Sequence, residues 1–219
     1  MLEKYSTFAP FYDLLSGEYP VYRAGRVVGI EALGLSAGDQ VLDVGCGTGL
    51  NFPHLEQRVG AAGTIVGIDK SADMLRQARR RADKHGWTNV ILLQADAATP
   101  APEEIAARIE AQEGRLRSDA AIATYALSLI PDWPQAWKNM QTLCRDRAAQ
   151  TVVDMQEPVG TAAVFTPLAR FACWLGGADI SAHPWSGVEQ DCAEVTAASA
   201  RGGHLQIRTG RTKAGTPPS

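Results

Sequence analysis

Apolar runs of strand length alternate with helical patterns along most of this chain, and that alternation constrains the fold more than any other feature. QVLDVG, GTIVGID, NVILLQAD, SDAAIATYAL and AAQTVVDMQ read as five strands. Between them lie GLNFPHLEQRV, SADMLRQARRRADKHG, APEEIAARIEAQ and DWPQAWKNMQTLCR, whose apolar residues recur at helical spacing. Strands separated by helices require crossover connections. They imply a parallel sheet covered on both faces, the doubly wound α/β class. Pro53 is expected in the first turn of its helix, where a missing N–H costs little. Ser71 fits the N-cap of the second of these helices and Gly86 its C-terminus. The segment CAEVTAASARGGHLQIRTGR predicts an antiparallel hairpin turning at Gly202 and Gly203.

In such a sheet, ligands bind beyond the carboxyl ends of the strands near the topological switch point. The loop after the first strand is Asp43-Val44-Gly45-Cys46-Gly47-Thr48-Gly49. Glycine lets a ligand approach the backbone without a Cβ in the way. A dinucleotide fingerprint would need a further glycine where Leu50 stands, so that pattern fails. Asp69 ends the second strand, where a carboxylate can accept both hydroxyls of a ribose or cap the next helix. Asp96 follows the third strand and suits either an adenine amino group or an N-cap.

D-x-G-x-G-x-G, an acid ending strand two and Q-A-D-A after strand three together resemble the class I S-adenosylmethionine-dependent methyltransferases. The resemblance covers roughly residues 38 to 156. It implies a seven-stranded, Rossmann-like sheet in the order 3-2-1-4-5-7-6, mostly parallel, with the C-terminal hairpin as its last pair. It also implies S-adenosyl-L-methionine as cofactor. Asp43, Gly45, Gly47 and Gly49 would border the methionine part, Asp69 would hold the ribose, and Asp96 with Ala97 would meet the adenine. Met74 would pack on the adenine face or in the core, and Tyr125 would lie beside the cofactor.

YSTFAPFYDLL and ATYALSLIPDWPQAW look like the phosphatidylethanolamine and betaine-lipid N-methyltransferases, with the ubiquinone/menaquinone C-methyltransferases as close relatives. The reading that follows is N-methylation of an amine such as a lipid head group. The alternatives are C- or O-methylation of a quinone-like or other small natural product, or a cofactor-binding protein without transferase activity. Tyr125 is the candidate for the acceptor side, or else a core aromatic, and His183 in SAHPWSG is a candidate base. His54 and His85 look structural or solvated, and His204 offers no evident partner.

Residues 1–36 are expected to form a helical lid carrying Tyr5 and Tyr12, residues 37–211 the methyltransferase domain, and 212–219 a polar tail. A net charge of -3 gives no global electrostatic case for nucleic acid. Four dispersed cysteines and the lack of metal-ligand spacing argue for reduced thiols and no metal. With neither a signal-peptide pattern nor a long apolar run, the expectation is a cytoplasmic protein acting on a small molecule or lipid. The basic helix carrying Arg76, Arg79, Arg80, Arg81 and Lys84 reads as a solvated face or a peripheral membrane contact, and the apolar segment 161–175 as a buried helix or a surface admitting an acyl chain.

Overall fold

The computed structural model describes residues 22–158, 166 and 177–213. Seven strands form one sheet: β1 (Gln40–Val44), β2 (Thr64–Asp69), β3 (Val90–Gln94), β4 (Ser118–Thr124), β5 (Cys144–Met155), β6 (Cys192–Ala200) and β7 (Leu205–Thr212). Their order is β3-β2-β1-β4-β5-β7-β6, the order the family resemblance implies. The first five pair in parallel, and β7 pairs antiparallel with both β5 and β6. The strand order changes sense at β1, with β2 and β3 added on one side and β4 and β5 on the other, all parallel. That is the switch point, and the glycine-rich loop leaves β1 there.

Six helices are described: α1 (Arg23–Ala32), α2 (Phe52–Val59), α3 (Ala72–His85), α4 (Pro102–Glu110), α5 (Trp133–Thr142) and α6 (Ser186–Asp191). Two apolar layers bury the sheet. One joins Leu42, Val66, Ile91 and Ala121 to Ile105, Ile109, Trp137 and Met140 of α4 and α5. The other joins Val41, Ile65 and Ile122 to Ile30, Leu55, Leu75 and Ala78 of α1, α2 and α3. Both faces are therefore covered, as the near-continuous apolar strands require.

Local chemistry sets the boundaries. Pro53 lies in the first turn of α2. The Ser71 hydroxyl accepts the Met74 N–H at 3.3 Å, and Gly86 closes α3 in the left-handed conformation. β4 stops at Thr124, three residues before the end of the apolar run, because Tyr125 turns to φ 56°. β5 begins at Cys144, well before AAQTVVDMQ, and absorbs the extra length at a register shift near Ser118 and at Arg147, φ 58°. α6 falls in a stretch that reads as a loop, since six residues carry too little periodicity to show. Thr212 pairs with Cys192, so it belongs to β7 and not to the expected tail. The lid residues Tyr5 and Tyr12 and most of the apolar segment 161–175 lie outside the described residues.

Candidate cofactor and acceptor site

Val44 delivers the chain into a turn whose glycines all have positive φ: Gly45 67°, Gly47 55° and Gly49 77°. A Cβ at Gly47 would meet nothing within 4 Å. Gly47 is thus held bare by its backbone angle and faces open space, which is what a ligand lying on the main chain needs. The turn is anchored from β2. Asp69 Oδ2 accepts the Gly47 N–H at 2.8 Å, and Oδ1 accepts the Ser71 N–H at 2.8 Å. Each oxygen keeps lone pairs to spare. Burial nevertheless raises the Asp69 pKa above the ordinary carboxylate value, against the pull of those two bonds.

Beneath the turn lies a buried polar network. Asp43 is fully enclosed; its Oδ1 accepts Asn51 Nδ2 at 2.8 Å, while Oδ2 has no hydrogen-bond partner. Burial pushes its carboxyl up to about 7, with the Asn51 bond and the Arg26 charge opposing. Arg26 reaches in from α1 and donates to Asn51 Oδ1 at 2.5 Å and to Thr124 Oγ1 at 2.9 Å. Four elements meet in this network: α1, the end of β1, the start of α2 and the end of β4.

Asp96 Oδ2 pairs with Lys70 Nζ at 2.7 Å and Oδ1 accepts the Ala98 N–H at 3.0 Å. Lys70, mainly by that bond, holds the Asp96 carboxyl below its usual value. The pair ties the loop after β2 to the loop after β3. The Ala97 carbonyl accepts Asn139 Nδ2 of α5 at 2.8 Å. Met74 is buried at the start of α3 but belongs to neither apolar layer.

On the other side of the switch point, Tyr125 joins Tyr22, Met155 and Leu205, with Ala178, Ile180 and Ala200 alongside. Its ring lies 4.8 Å from that of Tyr22, its hydroxyl donates to the Tyr22 carbonyl at 2.7 Å, and Arg26 stands 5.7 Å from its centroid. The hydroxyl of this acceptor-side candidate therefore docks α1, and the ring packs with Tyr22 against the small apolar cluster of Met155 and Leu205. His183 takes a turn with φ 48° before α6, exposed, its ring 4.8 Å from Trp185. No described contact aims it at the glycine loop. His204, expected to lack a partner, has one: its Nδ1 sits 2.5 Å from the Gln156 carbonyl.

The structure thus brings Asp43, Gly45, Gly47, Gly49, Asp69 and Tyr125 to one end of the sheet. It adds Arg26, Asn51 and Thr124, which sequence reasoning missed. Arg26 left a signal: it shares the face of α1 that carries Gly25, Gly29 and Ile30, where an arginine is out of place unless it has buried work.

Residues 35–174 match the family model described as a methyltransferase domain. The chain belongs to that family. A 2-phytyl-1,4-naphtoquinone methyltransferase from Synechococcus elongatus is 28% identical over 170 residues, covering 76% of this chain and 65% of the relative. The match therefore spans just under two thirds of that relative's length. An aklanonic acid methyltransferase from a Streptomyces species is 36% identical over 89 residues, 41% of this chain and 40% of the relative. Among solved structures, a SAM-dependent methyltransferase from Aquifex aeolicus superposes with a TM-score of 0.62 at 17% identity, covering 93% of this chain and 98% of that one. An O-methyltransferase family protein from Burkholderia thailandensis gives a TM-score of 0.66 at 13% identity, covering 95% and 59%. At those identities the structural likeness speaks for the fold.

The cofactor of this domain is S-adenosyl-L-methionine, and the residues fit it. The open face of Gly47, the spare lone pairs of Asp69 and the unpartnered Asp43 Oδ2 provide a bare main chain, a hydroxyl acceptor and a buried acceptor near the turn. Among the described residues no group of three or more metal-ligating side chains occurs, and no helix is long and apolar enough to cross a membrane.

Proposed function

We propose that this chain methylates a carbon or oxygen of a quinol-like aromatic small molecule. One observation carries the reading. Beside the switch point the partly buried rings of Tyr22 and Tyr125, with Ile180, pack on buried Met155 and Leu205, and the Arg26 guanidinium stands over the Tyr125 ring. A flat ring suits an aromatic and aliphatic wall. A fixed cation at that wall favours an acceptor that becomes a phenolate and disfavours an ammonium, because like charges repel in a poorly solvated site. The naphthoquinone and aklanonic acid names of the relatives support the same class. Both weigh against the lipid-amine reading and toward its quinone-like alternative.

The cofactor, when bound, supplies a methyl group already activated by its sulfonium charge. What the chain supplies is placement. The turn 45–49, pinned by Asp69, presents main-chain groups in a fixed shape, and Asp69 would accept ribose hydroxyls with its remaining lone pairs. Asp96 and Ala97 would flank the adenine, with Met74 at its face. Tyr125 and Tyr22 would set the plane of the acceptor, where proximity and exclusion of water give most of the acceleration. The domain in this reading takes in α1, which packs on the sheet, and ends with β7 at Thr212.

The test is direct. The purified protein is incubated with methyl-labelled cofactor and, in parallel, a reduced 2-alkyl-1,4-naphthoquinone, 1-naphthol and phosphatidylethanolamine vesicles. Label in the naphthoquinol or naphthol is the expected result. Label only in the phospholipid would overturn the reading.

A further inference from the structure

The turn between β6 and β7 lies at the site end of the sheet. β7 runs antiparallel to β5 with Leu205 opposite Met155, so residues 201–204 sit at the carboxyl end of β5, on the same rim as the loops after β1 and β4. The hairpin closes through three successive left-handed residues, Arg201, Gly202 and Gly203. His204 follows. Three hydrogen bonds hold it: the Gln156 N–H donates to its carbonyl at 2.8 Å, its own N–H donates to the Arg201 carbonyl at 3.3 Å, and its Nδ1 meets the Gln156 carbonyl at 2.5 Å. The first and third bonds reach Gln156, and the second closes the turn.

A carbonyl only accepts, so the last contact requires the proton on Nδ1. In the neutral ring that leaves Nε2 with a lone pair and no proton. The residue is 8% exposed, and its ring centroid lies 6.5 Å from that of Tyr22, which in turn packs on Tyr125. A tautomer fixed by a backbone carbonyl, beside an aromatic wall, is the arrangement by which an imidazole is held ready as a base.

We propose that His204 is a catalytic residue, the proton acceptor for the phenolic hydroxyl of the aromatic substrate; this rests on the quinol reading above. The O–H proton passes to Nε2, and the phenolate pair moves to the ortho carbon. That carbon forms the new C–CH3 bond as the C–S bond breaks, its electron pair going to sulfur. The ring carbon then loses its proton to solvent and the oxygen recovers the one on the imidazolium. The net release is one proton. In an O-methylation the phenolate oxygen attacks instead, and the imidazolium gives its proton to solvent.

Two measurements test this on the intact chain. Long-range 1H–15N spectra, with the His204 signal assigned by its loss in His204→Asn, should show the Nδ1–H tautomer in the neutral ring. The Nε2 signal should shift when 1-naphthol is added in the presence of S-adenosylhomocysteine. The Nε2–H tautomer, or an Nε2 signal indifferent to naphthol, overturns the proposal whether or not any acceptor is turned over. Asparagine can keep the donor to Gln156 while removing the base. His204→Asn should therefore bind cofactor within about twofold of wild type and melt within a few degrees of it. Its single-turnover rate on the naphthoquinol should fall about 100-fold or more, as expected of a lost general base. An unchanged rate overturns the proposal. If the wild type methylates only phospholipid, the quinol reading fails, while the naphthol shift still reports on His204.

Discussion

At the scale of single residues, the turn after β1 is governed by one carboxylate and one bare position. Gly47→Val should abolish cofactor binding, because a branched side chain at φ 55° both strains the backbone and fills the open face of the turn. Calorimetry with S-adenosylhomocysteine on a variant with wild-type circular dichroism checks this, and normal affinity would remove the main chain from the site. Asp69→Ala should weaken binding by about 1.5–3 kcal/mol, since it takes away a charged acceptor and also releases the Gly47 N–H. Both residues were legible in the sequence, because a glycine pattern and an acid at a strand end are local features. Arg26, Asn51 and Thr124 were not, since Arg26 meets Asn51 and Thr124 across 25 and 98 positions and only the fold brings the three together. Asp96 was legible as an acid at the right place but not as the partner of Lys70, a contact across two loops.

At the scale of elements, α1 decides how the site is closed. A Cβ at Gly29 would lie 2.5 Å from Val153 Cγ2, so the helix rests directly on β5. Tyr125 ties its start through the Tyr22 carbonyl, at 2.7 Å. The alternation of strands and helices announced the parallel part of the sheet, because β1 to β5 read as apolar runs, while the strand order came from the family resemblance. The contact between α1 and the loop after β4 had no such signature, since it rests on two glycines and one left-handed tyrosine. Gly29→Leu should lift α1 and cost about 2–4 kcal/mol of stability, within the range for overpacking and larger when a helix must move. Thermal melts measure the loss, and hydrogen exchange in residues 23–32 should rise with it. Tyr125→Phe should cost about 1 kcal/mol of stability, through one lost hydrogen bond, and leave most of the turnover intact. A drop in single-turnover rate beyond about 30-fold, with cofactor affinity and melting near normal, would return the hydroxyl to the chemistry.

At the scale of the whole molecule, two buried acids make folding respond to pH. Asp43 is pushed up to about 7 and Asp154 to about 6, in both cases chiefly by burial. Asp154 is well partnered, accepting the Ser128 hydroxyl at 2.7 Å, the Ser128 N–H at 3.1 Å and the Met155 N–H at 2.9 Å. Asp43 has one partner and one orphaned oxygen. In the unfolded chain both carboxyls ionise near 3.8. Between about 4 and 7 the native state therefore keeps protons that the unfolded state has released. Unfolding releases protons in that window, so the contribution of these two acids to stability falls as pH rises through it and levels off above the folded values. Asp96, held low by Lys70, acts in the opposite sense but at lower pH. Asp43→Asn isolates the larger shift. Its native state has no proton to lose, so its melting temperature relative to wild type should climb steadily from pH 4.5 to 7.5 in the absence of cofactor. The slope rests on burial outweighing the nearby Arg26. If the difference in melting temperature stays flat, or declines with pH, the guanidinium keeps Asp43 ionised in the native state, and Arg26 and Asp43 act as a buried ion pair bridged by Asn51.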